Sequence, residues 1–338
     1  MTVTIKDVAA RAGVSPKTVS RVMNGEPHVR AAVRDAVMLV VEALGYRPNA
    51  FARSLSSARS YLLGLFCDDP TSGYATALHR GALLECRRRH YHLIVEPLAL
   101  DMPGWAGDFD ANIMPLKLDG AILAPPLSQN QALLDHLAAC DLPYVRISPE
   151  GVGEAPVGLI EIDEERAAHD MTAHLIALGH REIGFIEGDP RHASTRTRRA
   201  GFVAAMRDAG LPVLAGRIAP GDFSFRSGLE AGEAMLAGGL PPTAIFASND
   251  DMALGVSVAA IKLGLSVPRD VSIAGFDDAP TARLAWPAIT TVHQPVLAMG
   301  AAAVRILCEP GYRDAPSDAR FRERLHYNIV WRESTAGR

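Results

Sequence analysis

The N-terminal segment concentrates residue types that bind nucleic acid. From Pro16 to Arg21 the sequence PKTVSR places two cations among hydroxyl side chains. An arginine in the major groove can donate two hydrogen bonds to guanine O6 and N7, worth about 1–3 kcal/mol of discrimination. Hydroxyl groups and helix N–H groups hold phosphates without reading the sequence. This combination predicts a segment that contacts both the DNA backbone and base edges.

The charge distribution agrees with a separate DNA-binding segment. The 338 residues carry a formal net charge of −4, from 34 Lys and Arg against 38 Asp and Glu. Residues 1–60 hold nine Lys and Arg against four Asp and Glu, a charge of +5, which leaves −9 for the rest. The length allows about two or three domains. We therefore expect a small basic module attached to a larger acidic body.

Local signals predict helices that would position the basic segment. The sequence TIKD from Thr4 has the pattern of a capping box, and Gly13 can end a first helix in the left-handed conformation. Ser15 is a suitable N-cap for a second helix, and a third is predicted over residues 30–44. Two short helices joined by a glycine-containing turn are typical of a DNA-binding helix-turn-helix. An ordinary three-helix bundle with basic exposed faces is the alternative.

Beyond residue 61, short apolar runs alternate with amphipathic stretches. This alternation predicts parallel sheets covered by helices, in two sets that separate near Asp163 and leave a cleft between two lobes. The predicted strands are residues 62–67, 93–96, 120–124, 144–147, 158–162, 183–187, 244–248 and 271–276. The predicted helices between them are residues 75–89, 131–139, 165–178, 199–209, 227–237 and 251–263.

Longer motifs run along the whole chain. TIKDVAxxAGVSxxTVSRVxN begins at Thr4, and LGYRPNAxARSL begins at Leu44. LGHREIGFIEG (178–188), RRAGF (198–202), ASNDDMALG (247–255), VPRDVSIAGFDD (267–278) and TTVHQP (290–295) follow. Over about residues 2–335 the chain resembles the LacI/GalR (lactose-repressor) family of bacterial transcription regulators.

This resemblance implies a fold and its boundaries. The fold class is an N-terminal all-α helix-turn-helix domain plus an α/β two-lobed effector domain like a type I periplasmic binding protein. The DNA-binding domain would span residues 1–46 and a hinge helix or linker residues 47–60. The first lobe of the effector domain would comprise residues 61–160 plus 292–321. The second lobe would comprise residues 161–291 plus 322–338.

The resemblance also assigns DNA contacts. The family's base-reading positions on the second helix are occupied by Pro16, Lys17 and Arg21. Its phosphate-contacting positions, with their neighbours, are occupied by Thr4, Ser15, Thr18, Ser20, Asn24 and His28. Leu55 matches a leucine that wedges between base steps in the minor groove, and Ala52 would let the hinge backbone approach closely. Without the resemblance, a plain linker with a buried leucine would be the interpretation of this segment.

A second group of residues matches the family's effector site. Arg198, Asn249 and Asp277 match ligand-contacting positions, Phe223 matches a stacking aromatic, and Tyr74 and Ser194 are further candidates. Charged and bidentate groups around an aromatic face suit a mono- or oligosaccharide. Two alternatives stay open for Arg146: it contacts an anionic or polar group of the effector, or it pairs structurally with Asp163.

Other chemistry is not predicted. The sequence contains no G-x-S-x-G, Walker A, G-x-G-x-x-G or H-E-x-x-H motif, so we expect no enzyme. The four cysteines are at least 19 residues apart and form no CxxC pair, so neither a metal site nor a cofactor is predicted. Without a secretory signal or about 18 consecutive apolar residues, the expected location is the cytoplasm, with no membrane association.

The predicted partners are double-stranded DNA, a small-molecule effector and a second copy of the chain. Two copies would read a pseudo-palindromic operator with recognition helices about one DNA turn apart. The chain ends in WRESTAGR rather than in leucine heptads, which favours a dimer over a tetramer. One alternative is a regulator of the same fold that responds to a protein partner. A periplasmic solute receptor is another, but it would need a signal peptide and would lack the basic module.

Overall fold

The chain forms two compact units, each with its own hydrophobic core. A computed structural model describes residues 3–23, 29–46, 59–149, 158–312 and 321–338. The units are Met1–Tyr61 and Leu62–Arg338. The predicted fold class is confirmed, with a helical first unit and an α/β second unit. No helix within the described ranges is long and apolar enough to cross a membrane.

The first unit contains the predicted helix-turn-helix. Its helices are α1 (Ile5–Ala12), α2 (Pro16–Met23) and α3 (Ala31–Leu44). The core between them consists of fully or almost fully buried side chains from all three helices, namely Val8, Ala9, Val19, Val22 and Val37. Gly13 and Gly45 follow α1 and α3 with φ of 66° and 59°, the left-handed conformation that favours glycine and ends a helix.

The second unit alternates strands and helices. Its elements up to the first passage between lobes are β1 (Leu62–Cys67), α4 (Gly73–Arg88), β2 (His92–Pro97), α5 (Trp105–Asn112), β3 (Gly120–Leu123), α6 (Gln131–Ala139), β4 (Tyr144–Ile147) and β5 (Gly158–Glu161). The second lobe follows with α7 (Glu164–Ala177), β6 (Ile183–Ile186), α8 (Ala193–Asp208), β7 (Ile218–Ala219), α9 (Phe225–Leu236), β8 (Ala244–Ala247), α10 (Asp250–Lys262), β9 (Ser272–Asp277), α11 (Pro280–Leu284) and β10 (Thr290–His293). The last elements are α12 (Val296–Leu307), β11 (Arg322–Arg324) and β12 (Asn328–Val330).

Two six-stranded sheets divide the second unit into two lobes. The first sheet has the order β11-β5-β4-β3-β1-β2 and the second β12-β10-β9-β8-β6-β7. All neighbouring strands are parallel except β10 and β12. The chain passes from one sheet to the other after β5, after β10 and after β11. Because ligands bind outside the carboxyl ends of parallel strands, the cleft between the lobes is the expected site.

Four helices depart from the sequence prediction. The helices α5, α11 and α12 were not predicted, and α8 begins at Ala193, six residues before the predicted start. Helix α12 is apolar on most sides because it packs closely on α4 as well as on the first sheet. Glycines permit this approach: a Cβ atom at Gly81 would overlap the Leu297 carbonyl oxygen, and one at Gly300 would overlap the Leu78 carbonyl oxygen.

Candidate functional site

One face of α2 is exposed and carries the predicted base-reading residues. Pro16 and Lys17 are exposed and Arg21 is partly exposed, whereas Val19 and Val22 on the opposite side are buried. The burial follows the helical period, since an amphipathic helix turns its apolar stripe to the core. The structure therefore presents the two cations of α2 on its surface, where they are accessible to a groove of DNA.

The hydroxyl side chains of this unit also fix the starts of its helices. The Thr4 N–H and hydroxyl both donate to Asp7 Oδ2, at 2.8 and 2.7 Å. These hydrogen bonds, led by that of the hydroxyl, lower the pKa of Asp7. Ser15 Oγ accepts from the Thr18 N–H at 3.1 Å and lies 2.9 Å from the Thr18 hydroxyl. Ser20 is partly exposed on α2.

Four of the predicted DNA contacts cannot be placed. Asn24, His28, Ala52 and Leu55 lie outside the described residues, as does the hinge segment from which Leu55 comes. Their assigned roles stay predictions that rest on the resemblance.

A cavity of about 490 Å³ lies between the two lobes of the second unit. Its walls come from both sheets, because the carboxyl ends of their strands face each other across the cleft. The lining residues that end a strand or lie one or two positions beyond it include Asp68 (β1), Ala124 (β3), Ser148 (β4), Asn249 (β8) and Asp277 (β9). Tyr74, Ser194, Arg198 and Phe223 also line it, so six of the seven predicted effector residues converge there.

Arg198 is the buried cation of this cavity. Only 4% of its surface is exposed. Its Nε donates to Glu164 Oε2 at 3.0 Å, and its Nη1 donates to the Ser248 carbonyl oxygen and lies 3.8 Å from Asp277 Oδ1. The guanidinium lies 3.8 Å from the centre of the Phe276 ring. Contacts on several sides hold the guanidinium in one orientation, as a site for a small ligand requires.

Asp277 is an acid with a perturbed pKa beside this cation. Burial raises its pKa to about 6, against the opposing effects of Arg198 and of a hydrogen bond from Gln294. The Gln294 Nε2 donates to Asp277 Oδ1 at 2.6 Å. The φ of Asp277 is 111°, an unfavourable backbone angle for a residue with a side chain, which is held here by the surrounding contacts.

Asn249 and Gly188 hold Phe223, the aromatic residue of the cavity wall, in place. The Asn249 Oδ1 caps α10 by accepting from the Met252 N–H at 2.9 Å, and its Nδ2 donates to the Phe223 carbonyl oxygen at 2.8 Å. The Phe223 ring lies against Gly188, where a Cβ atom would overlap it. The His192 ring meets Phe223 edge-on at 5.1 Å. Phe223 thus presents a fixed apolar face, while Asn249 serves its own helix cap and the Phe223 backbone.

Two hydroxyl groups of the cavity wall lack well-formed hydrogen bonds. The hydroxyl oxygens of Tyr74 and Ser148 are buried, and the Ser148 hydroxyl is close enough to Tyr74 to lower its pKa, but neither makes a hydrogen bond of good geometry within the described part of the chain. Burial, followed by the charge of Glu164, raises the pKa of Tyr74, so its hydroxyl keeps its proton. Because buried polar groups are nearly always hydrogen-bonded, a polar ligand in the cavity would complete this wall.

The cavity has an acidic lining. It contains eight Asp and Glu side chains, against the guanidinium groups of Arg191 and Arg198. One of these acids has a raised pKa: burial, followed by the charge of Asp277, raises the pKa of Asp250 well above its usual range. Asp250 accepts hydrogen bonds from the Thr291 hydroxyl at 2.6 Å and from the Ala279 N–H at 2.7 Å. The remaining acids still make the cavity a poor environment for an anion.

Arg146 lies outside this cavity. It is 5% exposed, lines a neighbouring open groove of about 1120 Å³, and donates from Nε to the Ser128 carbonyl oxygen. Of the two alternatives for Arg146, the pair with Asp163 is not formed here, because Asp163 caps α7 through the Arg166 N–H and pairs with Arg324 at 3.3 Å. The acid is occupied at the start of α7 and is not available to Arg146.

A contact across the cleft connects the two lobes. Arg191, from the second lobe, pairs with Asp189 at 2.7 Å and lies 3.8 Å from Asp68 Oδ2 of the first lobe. The Gln129 side chain of the first lobe donates to the Arg191 carbonyl oxygen. These contacts border both the cavity and the groove, so a change in the separation of the lobes must alter them.

Several residues of the site were not predicted from the sequence. Glu164 accepts a hydrogen bond from Arg198, and Asp250 accepts one from Thr291. Gln294 donates one to Asp277. Glu164 is separated from Arg198 by 34 positions, and Asp250 from Thr291 by 41. Their one local signal is position: Glu164 and Asp250 are each the first residue of a helix that begins beside the cleft.

Comparisons with known proteins agree with both units. Residues 4–49 match the family of bacterial regulatory proteins of the lacI type, and residues 172–335 match a periplasmic binding protein-like domain. The chain is 34% identical to the catabolite control protein A of Priestia megaterium, over 99% of this chain and 100% of that protein. It superposes with a TM-score of 0.80 and 28% identity on the crystal structure of the lac repressor dimer bound to operator and the anti-inducer ONPF, covering 100% of both chains. For the complex of the transcriptional regulator CelR with cellobiose the TM-score is 0.74 at 28% identity, covering 98% of this chain and 99% of that one. The chain belongs to the LacI family of bacterial regulatory proteins.

Proposed function

We propose that the protein is a homodimeric, sequence-specific transcriptional repressor whose operator affinity is set by a small neutral sugar bound between its lobes. The observation that carries this function is the combination, in one chain, of an exposed basic recognition helix and a polar cavity with unsatisfied hydroxyl groups. Binding in the cavity serves as a signal, and no reaction is assigned to it. Because operator DNA lies in the bacterial cytoplasm, the protein acts there.

Helix α2 is the DNA-reading element of this proposal. Lys17 and Arg21 read base edges, because their charged ends extend from the exposed face while Val19 and Val22 hold α2 against the core. Pro16 contributes shape, since its ring carries no hydrogen-bond donor. Thr4, Ser15, Thr18 and Ser20 contact phosphates, with Asn24 and His28 nearby, and Ala52 and Leu55 enter the minor groove.

Replacing Lys17 by alanine is expected to weaken operator binding by roughly 5- to 150-fold and to relax base preference at one half-site position. The substitution removes one base contact, so the base preference at the other operator positions should persist. Binding to a library of half-site variants measures this change. The matched control is Lys6→Ala, which removes an exposed cation of α1 that is assigned no base contact. A uniform loss across all sequences would contradict the base-reading role of Lys17.

The chemistry of the cavity favours a neutral polyhydroxylated effector. Sugar hydroxyls can satisfy Tyr74 and Ser148, accept from Arg198 and donate to Asp277, and the C–H face of the ring can stack on Phe223. The volume of about 490 Å³ is typical of small-ligand sites. The acidic lining opposes phosphorylated sugars and sugar acids, since a like charge raises the cost of binding.

Effector affinity is expected to fall as the pH decreases through about 6. The pKa of Asp277 in the free protein is about 6. Above this pH its carboxylate accepts from sugar hydroxyls, whereas below it the acid holds a proton that must leave before the same contacts form. Affinity should therefore be about tenfold lower at pH 5 than at pH 7. In Asp277→Asn the affinity should be lower throughout, without this pH dependence.

Isothermal titration with a panel of neutral, phosphorylated and acidic sugars tests the proposed effector class. Repeating it at pH 5 and pH 7 tests the pH dependence of the affinity. We expect heat from a neutral mono- or oligosaccharide and none from its phosphorylated counterpart. A regulator that responds to a protein partner instead would give no heat with any sugar. Binding of the phosphorylated sugars alone would contradict the assignment of a neutral effector.

A further inference from the structure

Three side chains with metal-binding atoms converge on the first lobe, outside the lining of the 490 Å³ cavity. They are Asp110 near the end of α5, His136 in α6 and Cys140 directly after α6. His136 Nε2 lies 2.9 Å from Asp110 Oδ1 and 3.9 Å from Cys140 Sγ. The three ligand atoms all lie within 4.8 Å of one another. We propose that this cluster binds a divalent transition-metal ion of the zinc type.

The fold explains how these atoms meet. His136 and Cys140 are four residues apart, the spacing that places two side chains on the same face of a helix. Cys140 keeps near-helical backbone angles, with φ −87° and ψ 2°, so its sulfur stays on the face of His136. Asp110 reaches this face from α5, 26 positions earlier in the chain.

Aromatic side chains from α5 fix the direction of the imidazole. The ring of Trp105 meets the His136 ring edge-on, with centroids 5.3 Å apart, and the ring of Phe109 does so at 5.5 Å. The apolar surround limits rotation of the imidazole and shields one side of the site from water. A ligand whose direction is held by its neighbours distinguishes a metal site from a chance cluster of polar side chains.

The donor set selects the class of metal. One nitrogen, one sulfur and one carboxylate oxygen suit zinc and similar ions, whereas magnesium and calcium prefer oxygen ligands alone. Metal–ligand bonds of about 2.0–2.3 Å in a tetrahedral arrangement place ligand atoms roughly 3.5 Å apart. The nitrogen–sulfur distance is near this value. The 2.9 Å between His136 Nε2 and Asp110 Oδ1 is shorter than this value, and the 54% exposed Asp110 side chain can rotate to lengthen it.

Because the Asp110 side chain is largely exposed, a water molecule can reach the metal and complete the coordination. On binding, the sulfur–metal bond replaces the S–H bond of Cys140, and the proton passes to the buffer. The ion then joins α5 to α6 in addition to the pair between His136 and Asp110 and the ring contacts of Trp105 and Phe109 with His136. The alternative is that this pair is purely structural and that Cys140 only fills space at the end of α6.

Cobalt(II) titration of the full-length, tag-free, reduced protein tests the site. We expect one equivalent of cobalt to produce a near-ultraviolet sulfur-to-cobalt charge-transfer band together with the visible bands of tetrahedral cobalt, and zinc to displace it. Cys140→Ser, which keeps the pair between His136 and Asp110, should lose the charge-transfer band. Asp110→Asn should keep the band but bind cobalt at least about 10-fold more weakly.

The matched control is Cys308→Ser. Cys308 is also a partly exposed cysteine that directly follows a helix, with φ −89° and ψ −2°, so the same substitution is made in the same local geometry away from the cluster. This variant should bind cobalt like the unmodified protein, and zinc should raise the melting temperature of both but not of Cys140→Ser. Absence of the charge-transfer band in the unmodified protein, or its persistence in Cys140→Ser, would overturn the proposal. Far-ultraviolet circular dichroism confirms that each variant is folded.

Discussion

Replacing Arg198 by alanine is expected to destabilise the second unit by about 3–5 kcal/mol and to abolish effector binding. The substitution leaves the Glu164 and Asp277 carboxylates without their cation, and Glu164 is only 8% exposed. It also removes the hydrogen bond to the Ser248 carbonyl oxygen and the contact with the Phe276 ring. Breaking a buried ion pair at one partner is costly because the remaining charge stays away from water.

Urea unfolding and calorimetry measure the two effects. The matched control is Arg199→Ala at the next position, where a 53% exposed arginine pairs with Glu187 at 3.1 Å. An exposed pair of this kind contributes about 0–1 kcal/mol, so the control should keep its stability and bind the effector. If the alanine variant does not accumulate, Arg198→Lys keeps the charge but not the guanidinium geometry, and should fold with weaker effector binding. Unchanged effector affinity in either variant would remove Arg198 from the site.

Deleting residues 1–61 is expected to abolish operator binding and to leave effector binding intact. The deletion removes the first unit, which carries both cations of α2, and leaves an acidic body that repels phosphates. Specific binding exceeds non-specific binding by typically 10³-fold or more, so the affinity should fall by at least about that factor. The remaining unit keeps its own hydrophobic clusters and the complete cavity lining.

Electrophoretic mobility shift and calorimetry on the same preparation check both parts of this prediction. A duplex with a scrambled operator sequence controls for non-specific binding by the full-length chain. Operator binding retained by the shortened chain would show that the helix-turn-helix is not the DNA-reading element. Loss of effector binding would show that the first unit contributes to the cavity.

The helix-turn-helix could be predicted because its determinants are local. Gly13, Ser15 and Gly45 act within one or two residues of the helix ends that they define, and the valine spacing marks the buried faces. The start of α8 could not be predicted in this way. It is preceded by His192, which makes no side-chain cap, and its first turn is ASTR, without an apolar stripe.

The candidate effector site also contains some residues that could be predicted from the sequence and others that could not. Arg198, Asn249 and Asp277 could be located from motifs, and Phe223 and Tyr74 from their positions in the family resemblance; the structure brings them around one cavity. The acids and amides that hydrogen-bond to them could not be predicted, because a single sequence does not reveal which distant residues meet in the fold. The proposed metal cluster was not predicted: His136 and Cys140 have the spacing of one helix face, but Asp110 joins them only through the packing of α5 on α6.

In the proposed function, the effector controls operator binding through the separation of the two lobes. An effector that contacts Tyr74 and Ser148 of the first lobe together with Arg198 and Asp277 of the second favours one separation of the lobes. The contacts of Arg191 with Asp68 across the cleft change with that separation. A coupling free energy of about 1–3 kcal/mol between effector and operator suffices for control.

Operator affinity with and without saturating effector is the most direct test of this account. The measurement is fluorescence anisotropy of a labelled operator duplex titrated with the full-length dimer, at an effector concentration shown by calorimetry to fill the cavity. The account predicts that the two operator dissociation constants differ by roughly 5- to 150-fold. The same dissociation constant with an empty and a filled cavity would contradict it.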